Sequence, residues 1–487
     1  MDHARDRGSR TLSPGAGVNE LHRSALCMSD TCLSFFFAQR GLHMRLPYAH
    51  RTTDAPPSSG ARWSGVAVLV PVLLLFTAFL TPRTGVGQDL LVHMDDRQTN
   101  HLKAYGAAFW ALEQGISVDW LLNYRGGSFM LPASPSARQE LRVRGVSFET
   151  LNGGAASEVI ATVEADGSNM SVVRLEKPPK IAVYAPDATL PWDDAVLLAL
   201  TYAEVPHDMI YDAEVLDGKL SNYDWVHMHH EDFTGQFGKF LRYRNQSWYI
   251  KQQQEAESLA REHGFRKVSE LKLAVAERIR SYVAQGGFLF SMCSGTDTFD
   301  IALAAHATDI VPREYDGDPV DPDAIDKLDY SHTLAFENFQ PNFNPHEYEH
   351  SNIDVGPPPP QLRDPSLDYF TLFEFSAKWD PVPTMLTQNH VATVKGFVGQ
   401  TTAFKKGLVK DDVVILAEAP NRDQVKYLHG TVGQGTFTFY AGHDPEDYQH
   451  FVGDPPTDLA LHKHSPGYRL ILNNILFPAA KKKKQKT

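Results

Sequence analysis

The stretch Gln285 to Ala305, QGGFLFSMCSGTDTFDIALAA, decides our interpretation of the fold. Two glycines, Gly286 and Gly287, end a long amphipathic helix, and Phe288 to Met292 has the pattern of a short buried strand. Cys293 stands where this strand ends, and the residues after it predict a second helix. The order of strand, nucleophile and helix is the pattern of a nucleophile elbow, whose sharp turn exposes the reactive side chain.

Cys293 is therefore the candidate catalytic nucleophile. The N-terminus of a helix favours a thiolate because the helix dipole is positive there. The backbone N–H groups of Ser294 and Gly295 can meet an oxyanion, so we assign these two residues to substrate binding. A cysteine after a strand is also a common core residue, and the sequence leaves this structural alternative open.

The composition is that of an ordinary globular protein. The chain has 487 residues, of which 42% are hydrophobic and 22% charged, enough for two or three domains. A net charge of -13, with no basic stripe in the interior, excludes a nucleic-acid-binding function. The single basic cluster is the tail, residues 479–487, which we interpret as a solvated chain end.

The N-terminal region has the pattern of an exported protein. Residues 1–64 are rich in Arg, Ser, Pro and Gly and predict a disordered extension. Residues 65–87 contain an uncharged apolar run and end in Gly85-Val86-Gly87, which is typical of a signal peptide cleaved before Gln88. Cleavage would leave Cys293 as the single cysteine of a periplasmic or extracellular protein. A retained signal anchor, the alternative, would be its one membrane contact.

Strands and helices alternate along the rest of the chain. We predict a smaller N-terminal α/β subdomain over residues 88–178 and a main domain over residues 179–478. The alternation predicts an α/β fold with a mostly parallel sheet and helices on both faces. Ligands of such sheets collect at the carboxyl ends of the strands, where Cys293 stands.

Several histidines follow predicted strands at this same edge. His443 comes after the strand Thr436 to Tyr440, and Asp444 or Glu446 follows it within one turn. An imidazole beside Cys293 can take the thiol proton, and a carboxylate can fix its tautomer. His229 and His230 follow another strand, and we assign them to substrate binding.

Two histidine groups have spacings compatible with a metal ion. His227 and His229 alternate on one strand face near Glu231 and Asp232. The run His346 to His350 matches H-E-x-x-H, but prolines and glycines flank it and little apolar periodicity supports a helix. We therefore predict a site without a metal ion or cofactor, acting on an unidentified small molecule.

Several runs carry a resemblance to known proteins. GGFLFSMC (286–293), SMCSG (291–295) and GHDPE (442–446) together resemble the class I glutamine amidotransferase-like superfamily over roughly residues 180–478. HHEDFTGQFGKF (229–240), FYAGHDPEDYQH (439–450) and the ending YRLILNNILFPAAKKKKQKT (468–487) resemble a group of exported bacterial proteins labelled asparagine synthetase B.

The resemblance implies a flavodoxin-like fold with a Cys–His–Glu triad. Carried onto this chain, Cys293 is the nucleophile, His443 the base and Glu446 the orienting acid. Two positions depart from the family pattern: Ser291 replaces the first glycine of G-x-C-x-G, and Asp444 is inserted into H-P-E. We expect an exported, Cys-dependent amidase or hydrolase. The alternative is a non-catalytic module on the same fold that binds a carbohydrate or a metal.

Overall fold

The computed structural model describes residues 87–186, 190–359, 361, 363–420 and 422–480. The predicted extension, the signal segment up to residue 86 and the tail beyond residue 480 lie outside the described residues, as do Cys27 and Cys32. Within the described residues, no helix combines the length and the apolar character needed to cross a membrane.

The N-terminal region contains a five-stranded sheet in which every pairing between strands is antiparallel. Its strands are β1 (Asp89–Val92), β2 (Val118–Leu122), β3 (Ser128–Pro132), β4 (Glu149–Leu151) and β5 (Ser171–Leu175), in the order β4-β1-β3-β2-β5. Three helices accompany it: α1 (His101–Glu113), α2 (Pro135–Val143) and α3 (Gly153–Glu164). Asn100, Ser134 and Asn152 cap these helices by accepting a backbone N–H bond, which stabilises each N-terminus.

The larger sheet is mixed, and its order is β11-β10-β13-β14-β15-β9-β8-β6-β7, with β12 paired to β14. Its strands are β6 (Ile181–Tyr184), β7 (Asp208–Ile210), β8 (Trp225–Met228), β9 (Phe288–Met292), β10 (Tyr369–Leu372), β11 (Thr393–Lys395), β12 (Phe404–Lys405), β13 (Val414–Glu418), β14 (Gln424–Val432) and β15 (Gly435–Tyr440). Four pairings, among β7, β6, β8, β9 and β15, are parallel. Five pairings, involving β10 to β15, are antiparallel.

The prediction of a mostly parallel, flavodoxin-like sheet is therefore wrong. The N-terminal sheet is antiparallel, and antiparallel pairings outnumber parallel ones in the larger sheet. The physical reason is the length of the connections in the C-terminal part. Only Gly433 and Gln434 separate β14 from β15, and a two-residue hairpin forces its strands to run antiparallel. Gly433 has φ of 60°, a conformation that suits a glycine in such a turn.

The remaining helices pack against the larger sheet and its loops. They are α4 (Ala195–Ala203), α5 (Asp212–Leu216), α6 (Ser247–Glu262), α7 (Val268–Ala284), α8 (Ser294–Ala304), α9 (Arg313–Asp316), α10 (Pro381–Leu386) and α11 (Pro466–Leu476). Alternate residues of β9 enter different cores: Phe290 and Met292 pack with α4 and α11, whereas Leu289 packs with α7 and α8. The strand end that carries Cys293 is thus held from both sides.

A buried ion pair ties helix α7 to the parallel strands. Lys272 Nζ donates to Asp212 Oδ1 at 2.9 Å and Oδ2 at 2.8 Å, and both side chains are at most 6% exposed. The same ammonium donates to the hydroxyls of Tyr184 at 3.0 Å and Tyr211 at 3.1 Å. All three protons of Lys272 therefore have acceptors, which offsets the cost of burying its charge.

Candidate active site

Cys293 lies on a sharp turn between β9 and α8, as the sequence pattern predicts. Its backbone has φ of 48° and ψ of -140°, a strained conformation for any residue with a side chain. The carbonyl of Cys293 accepts the backbone N–H of Thr296 at 3.2 Å and its hydroxyl at 2.6 Å, which holds the turn. This geometry is that of a nucleophile elbow.

Small residues on either side make the turn sterically allowed. Gly295 packs so closely that a Cβ placed on it would lie 2.5 Å from the carbonyl oxygen of His229 and 3.0 Å from the hydroxyl of Ser291. The N–H of Gly295 donates to the same carbonyl at 2.7 Å. Gly295 therefore joins the elbow to the end of β8, and its N–H cannot serve an oxyanion. Of the two predicted binding residues, Ser294 keeps that role as a candidate.

The base predicted from far downstream lies beside the thiol. His443 follows β15, which pairs in parallel with β9, so both residues stand at the same edge of the sheet. The Cys293 sulfur and a ring nitrogen of His443 lie within 4.8 Å of each other. The hydrogen-bond partner of the imidazole is Asp193, whose Oδ1 lies 3.4 Å from Nε2. The thiol, the imidazole and the carboxylate are thus brought together, which is the set of groups that a nucleophilic cysteine requires.

The charges of this group favour a thiolate. Burial raises the pKa of the Cys293 thiol, but the hydrogen bond and charge of His443, with backbone hydrogen bonds from Thr401 and Gln400, bring it below its ordinary value. Burial lowers the pKa of His443, but its bonds to Asp193 and Cys293 outweigh burial and raise it to about 10. The directions of these two shifts favour the thiolate and the imidazolium over the neutral pair.

Glu446 does not take the position that the resemblance implies. Its carboxylate pairs with His462 Nδ1 at 2.9 Å and not with His443. Asp444, the inserted residue, is buried and accepts the hydroxyl of Tyr468 at 2.8 Å. The carboxylate at the imidazole is instead that of Asp193, directly before the residue that caps α4. Cys293 and His443 are thus brought together, whereas Glu446 lies elsewhere.

The predicted binding histidines lie next to the pair. The ring of His229 is fully buried, 4.7 Å from the ring of His443 between centroids, and its Nδ1 faces Asp194 Oδ1 at 3.2 Å. His230 lies 5.9 Å from the ring of His443 and lines a small cleft of about 40 Å³. Burial lowers the pKa of both His229 and His230, so both imidazoles are neutral.

Buried carboxyls also approach the thiol. Burial raises the pKa of Asp297 to about 6, although the hydroxyl of Thr401 donates to it at 3.0 Å. Burial and the nearby Asp297 together hold the pKa of Asp354 well above its ordinary value. Asp354 therefore carries a proton when Asp297 is ionised, which limits the negative charge beside the thiolate of Cys293.

In neither group of candidate metal ligands do the residues have the arrangement that the sequence suggested. His227 Nε2 faces Asp194 Oδ1 at 3.4 Å, not Glu231 or Asp232. The H-E-x-x-H run is irregular backbone in which His346 is exposed and His350 is buried against Asp232 at 3.6 Å. The zincin arrangement needs both histidines on one helix face, so this segment does not provide it.

The sequence interpretation missed two parts of the site. Asp193, which follows β6, is not among the residues that the sequence assigns to the site. The loop that contains Gln400 and Thr401 had no motif to mark it. Gly442 N–H donates to the Thr401 carbonyl at 2.7 Å, and this contact sets the loop against the His443 turn.

Comparisons with known proteins identify no family. No protein-family model matches the chain, and no curated protein matches it significantly. Two solved structures, both described as cytoplasmic proteins of Salmonella typhimurium, are similar to 62% of this chain over 100% of their own length, at 12% and 13% identity and a TM-score of 0.30 each.

Two glycosidases are similar over a shorter share of their own chains. A GH42 β-galactosidase from G. stearothermophilus matches 56% of this chain and 28% of its own, at 11% identity and a TM-score of 0.24. A β-galactosidase from Bacillus circulans sp. alkalophilus matches 56% and 29%, at 12% identity and a TM-score of 0.24. Similarities this remote assign neither a fold family nor an activity to the chain.

Proposed function

We propose that this chain is an exported, cysteine-dependent hydrolase or amidase that acts on a small molecule, with Cys293 as nucleophile, His443 as base and Asp193 as orienting acid. One observation carries the proposal. A cysteine in a strained turn lies within 4.8 Å of a ring nitrogen of a histidine, and a buried carboxylate is hydrogen-bonded to that histidine. A strained nucleophile with a histidine and a carboxylate beside it is typical of a reactive site.

The proposed reaction is acyl transfer in two steps. The Cys293 sulfur bonds to the carbonyl carbon of an amide or ester, and the electron pair of the C=O bond moves to oxygen. The leaving amine or alcohol takes a proton from the His443 imidazolium as its bond to carbon breaks. Water then attacks the thioester while His443 accepts its proton, which releases the acid and restores the thiolate.

Asp193 acts on His443 and not on the substrate. Its carboxylate lies at Nε2, where it orients the imidazole and stabilises the imidazolium of His443. Ser294 is the candidate oxyanion donor of the elbow. Cys293 is only 2% exposed, so a substrate reaches the sulfur when surrounding side chains move, and this restricts the site to small acyl groups.

The test is direct trapping of the acyl-enzyme. The full chain would be mixed with short-chain p-nitrophenyl esters and with primary carboxamides, and intact and peptide masses would be recorded alongside product release. We expect an acyl adduct on Cys293 that turns over. Cys293→Ala and His443→Gln should abolish both adduct and turnover.

His429→Gln is the matched control, because His429 is a buried histidine whose partner is the Thr438 hydroxyl at 3.2 Å, outside this group. It should keep both adduct and turnover. A folded wild-type chain that forms no adduct with any ester, or turnover that persists in Cys293→Ala, would overturn the proposal and favour the non-catalytic binding module.

A further inference from the structure

We propose that Cys293, His229 and His443 together form a zinc-binding site that, when filled, holds the nucleophile as a metal thiolate. One sulfur and two imidazole nitrogens, one from each residue, lie within 4.8 Å of one another. Tetrahedral zinc, with bonds of about 2.0–2.3 Å, separates its ligand atoms by roughly 3.3–3.7 Å, so small side-chain rotations suffice. Thiolate and imidazole are the ligands that zinc prefers in proteins.

The side chain of His229 is the observation that points to a ligand. It is fully buried, and neither Nδ1 nor Nε2 has a hydrogen-bond partner within the described residues. A buried ring nitrogen without a partner costs free energy, which a bound metal ion would recover. The proposed reaction gives His229 no role, so catalysis does not explain why this nitrogen is left open beside Cys293.

Each histidine has a carboxylate behind it. Asp194 Oδ1 lies 3.2 Å from Nδ1 of His229, and Asp193 Oδ1 lies 3.4 Å from Nε2 of His443. Zinc-ligating histidines almost always bond a carboxylate or carbonyl through their second nitrogen, because that bond fixes the ring and its tautomer. Two neighbouring aspartates at the start of α4 thus place a carboxylate near each ring, and Asp193 is hydrogen-bonded to His443, so the remaining nitrogen of each ring is available to the metal.

The three ligands come from three strand ends. His229 follows β8, Cys293 follows β9 and His443 follows β15, and these strands are neighbours in the parallel part of the sheet. Three protein ligands leave a fourth position for water. Zinc binding as such does not depend on the proposed function, but the inhibition of acyl transfer that follows from it does.

A rival grouping lies on the other side of His229. Asp194, His227 and His229 also bring three ligand atoms within 4.8 Å. Asp194 Oδ1 already accepts the N–H groups of Val196 at 2.7 Å and Leu197 at 3.0 Å, because it caps α4, so only Oδ2, which has no partner within the described residues, is open to a metal there. This grouping also lacks a thiolate, and we therefore place the metal at Cys293.

The experiment measures zinc binding by the full chain in competition with a chromophoric chelator, together with metal content after gel filtration. We expect one zinc per wild-type chain. Cys293→Ala and His229→Gln should each weaken binding at least a hundredfold. Asp194→Asn, which keeps a helix cap, should weaken it ten- to a hundredfold. His227→Gln should bind as the wild type does. Cobalt(II) should give a thiolate-to-metal charge-transfer band that Cys293→Ala lacks.

Two results would overturn the inference. One is a wild-type chain that retains no stoichiometric zinc and gives no cobalt–thiolate band. The other is zinc that survives in Cys293→Ala but is lost in His227→Gln, which would place the metal at the rival grouping. Near-ultraviolet circular dichroism of each variant confirms that the chain is folded.

The proposed function is tested separately in the same samples. Alkylation of Cys293 by iodoacetamide in chelator-treated protein reports the thiolate without zinc, and added equimolar zinc should slow it at least tenfold. A slow, ordinary thiol in chelator would count against the proposed function and leave zinc binding untouched. Fast alkylation that zinc does not slow would count against the zinc site alone.

Discussion

Replacing Asp193 by Asn should remove the charge that keeps His443 protonated, and with it the thiolate at low pH. Asp193 Oδ1 lies 3.4 Å from His443 Nε2, and both side chains are less than a tenth exposed. Two unit charges at that separation interact by about 5 kcal/mol at an effective dielectric constant of about 20. If Cys293 and relaxation of the site offset half of this energy, the remaining ~2.5 kcal/mol corresponds to roughly 60- to 70-fold.

The sign of the effect follows from the direction of each pKa. The wild-type thiol has a lowered pKa and His443 a pKa raised to about 10, so both shifts favour the ion pair. The rate of iodoacetamide alkylation should therefore fall less between pH 8 and pH 6 than the rate of an ordinary thiol does. In Asp193→Asn the imidazolium of His443 is less stabilised, the pKa of the Cys293 thiol rises, and the alkylation rate at pH 6 should fall by roughly 60- to 70-fold.

Glu446→Gln is the control, because the resemblance implies that this residue is the orienting acid whereas the structure pairs it with His462. Its pH profile should match that of the wild type. Equal rates for all three proteins well above the ordinary thiol pKa would show that access to Cys293 is unchanged. A wild-type profile for Asp193→Asn, or loss of the low-pH rate in Glu446→Gln, would refute the assignment of the acid.

Three further predictions concern stability and processing. Gly295→Ala would place a Cβ 2.5 Å from a backbone carbonyl oxygen, and we expect thermal unfolding to show that the free energy of unfolding falls by about 1–3 kcal/mol. Gly407→Ala is the control, because a Cβ there would have nothing within 4 Å, and its stability should change little. Equal losses in the two variants would contradict the packing argument. Lys272→Met leaves the buried Asp212 charge unpaired, so urea unfolding should show that the free energy of unfolding falls by about 3–5 kcal/mol. An unchanged free energy of unfolding would mean that water reaches this pair. Expression in a bacterium with a secretion pathway should give a mature N-terminus at Gln88, and an intact N-terminus in the soluble periplasmic fraction would contradict export by cleavage.

The local part of the site could be predicted from the sequence because it depends on neighbouring residues. A short apolar strand, one cysteine and a glycine two positions later are sufficient to predict the elbow, and the structure has it at Cys293. His443 could be predicted as well, since it follows a strand and the carboxyl ends of parallel neighbours share an edge. The pairing direction of the C-terminal strands was mistaken, although the short Gly433-Gln434 connection already indicated a hairpin.

What the sequence alone determined is the chemistry available within a few residues of Cys293, because turn geometry and strand pattern are set by local sterics. The tertiary structure alone decided which carboxylate serves His443. Asp193 and Glu446 have the same charge, and Glu446 is nearer in sequence, yet Asp193 reaches the imidazole across a separation of 250 residues. Packing of α4 against the sheet makes that contact, and no local pattern carries information about a contact created by packing.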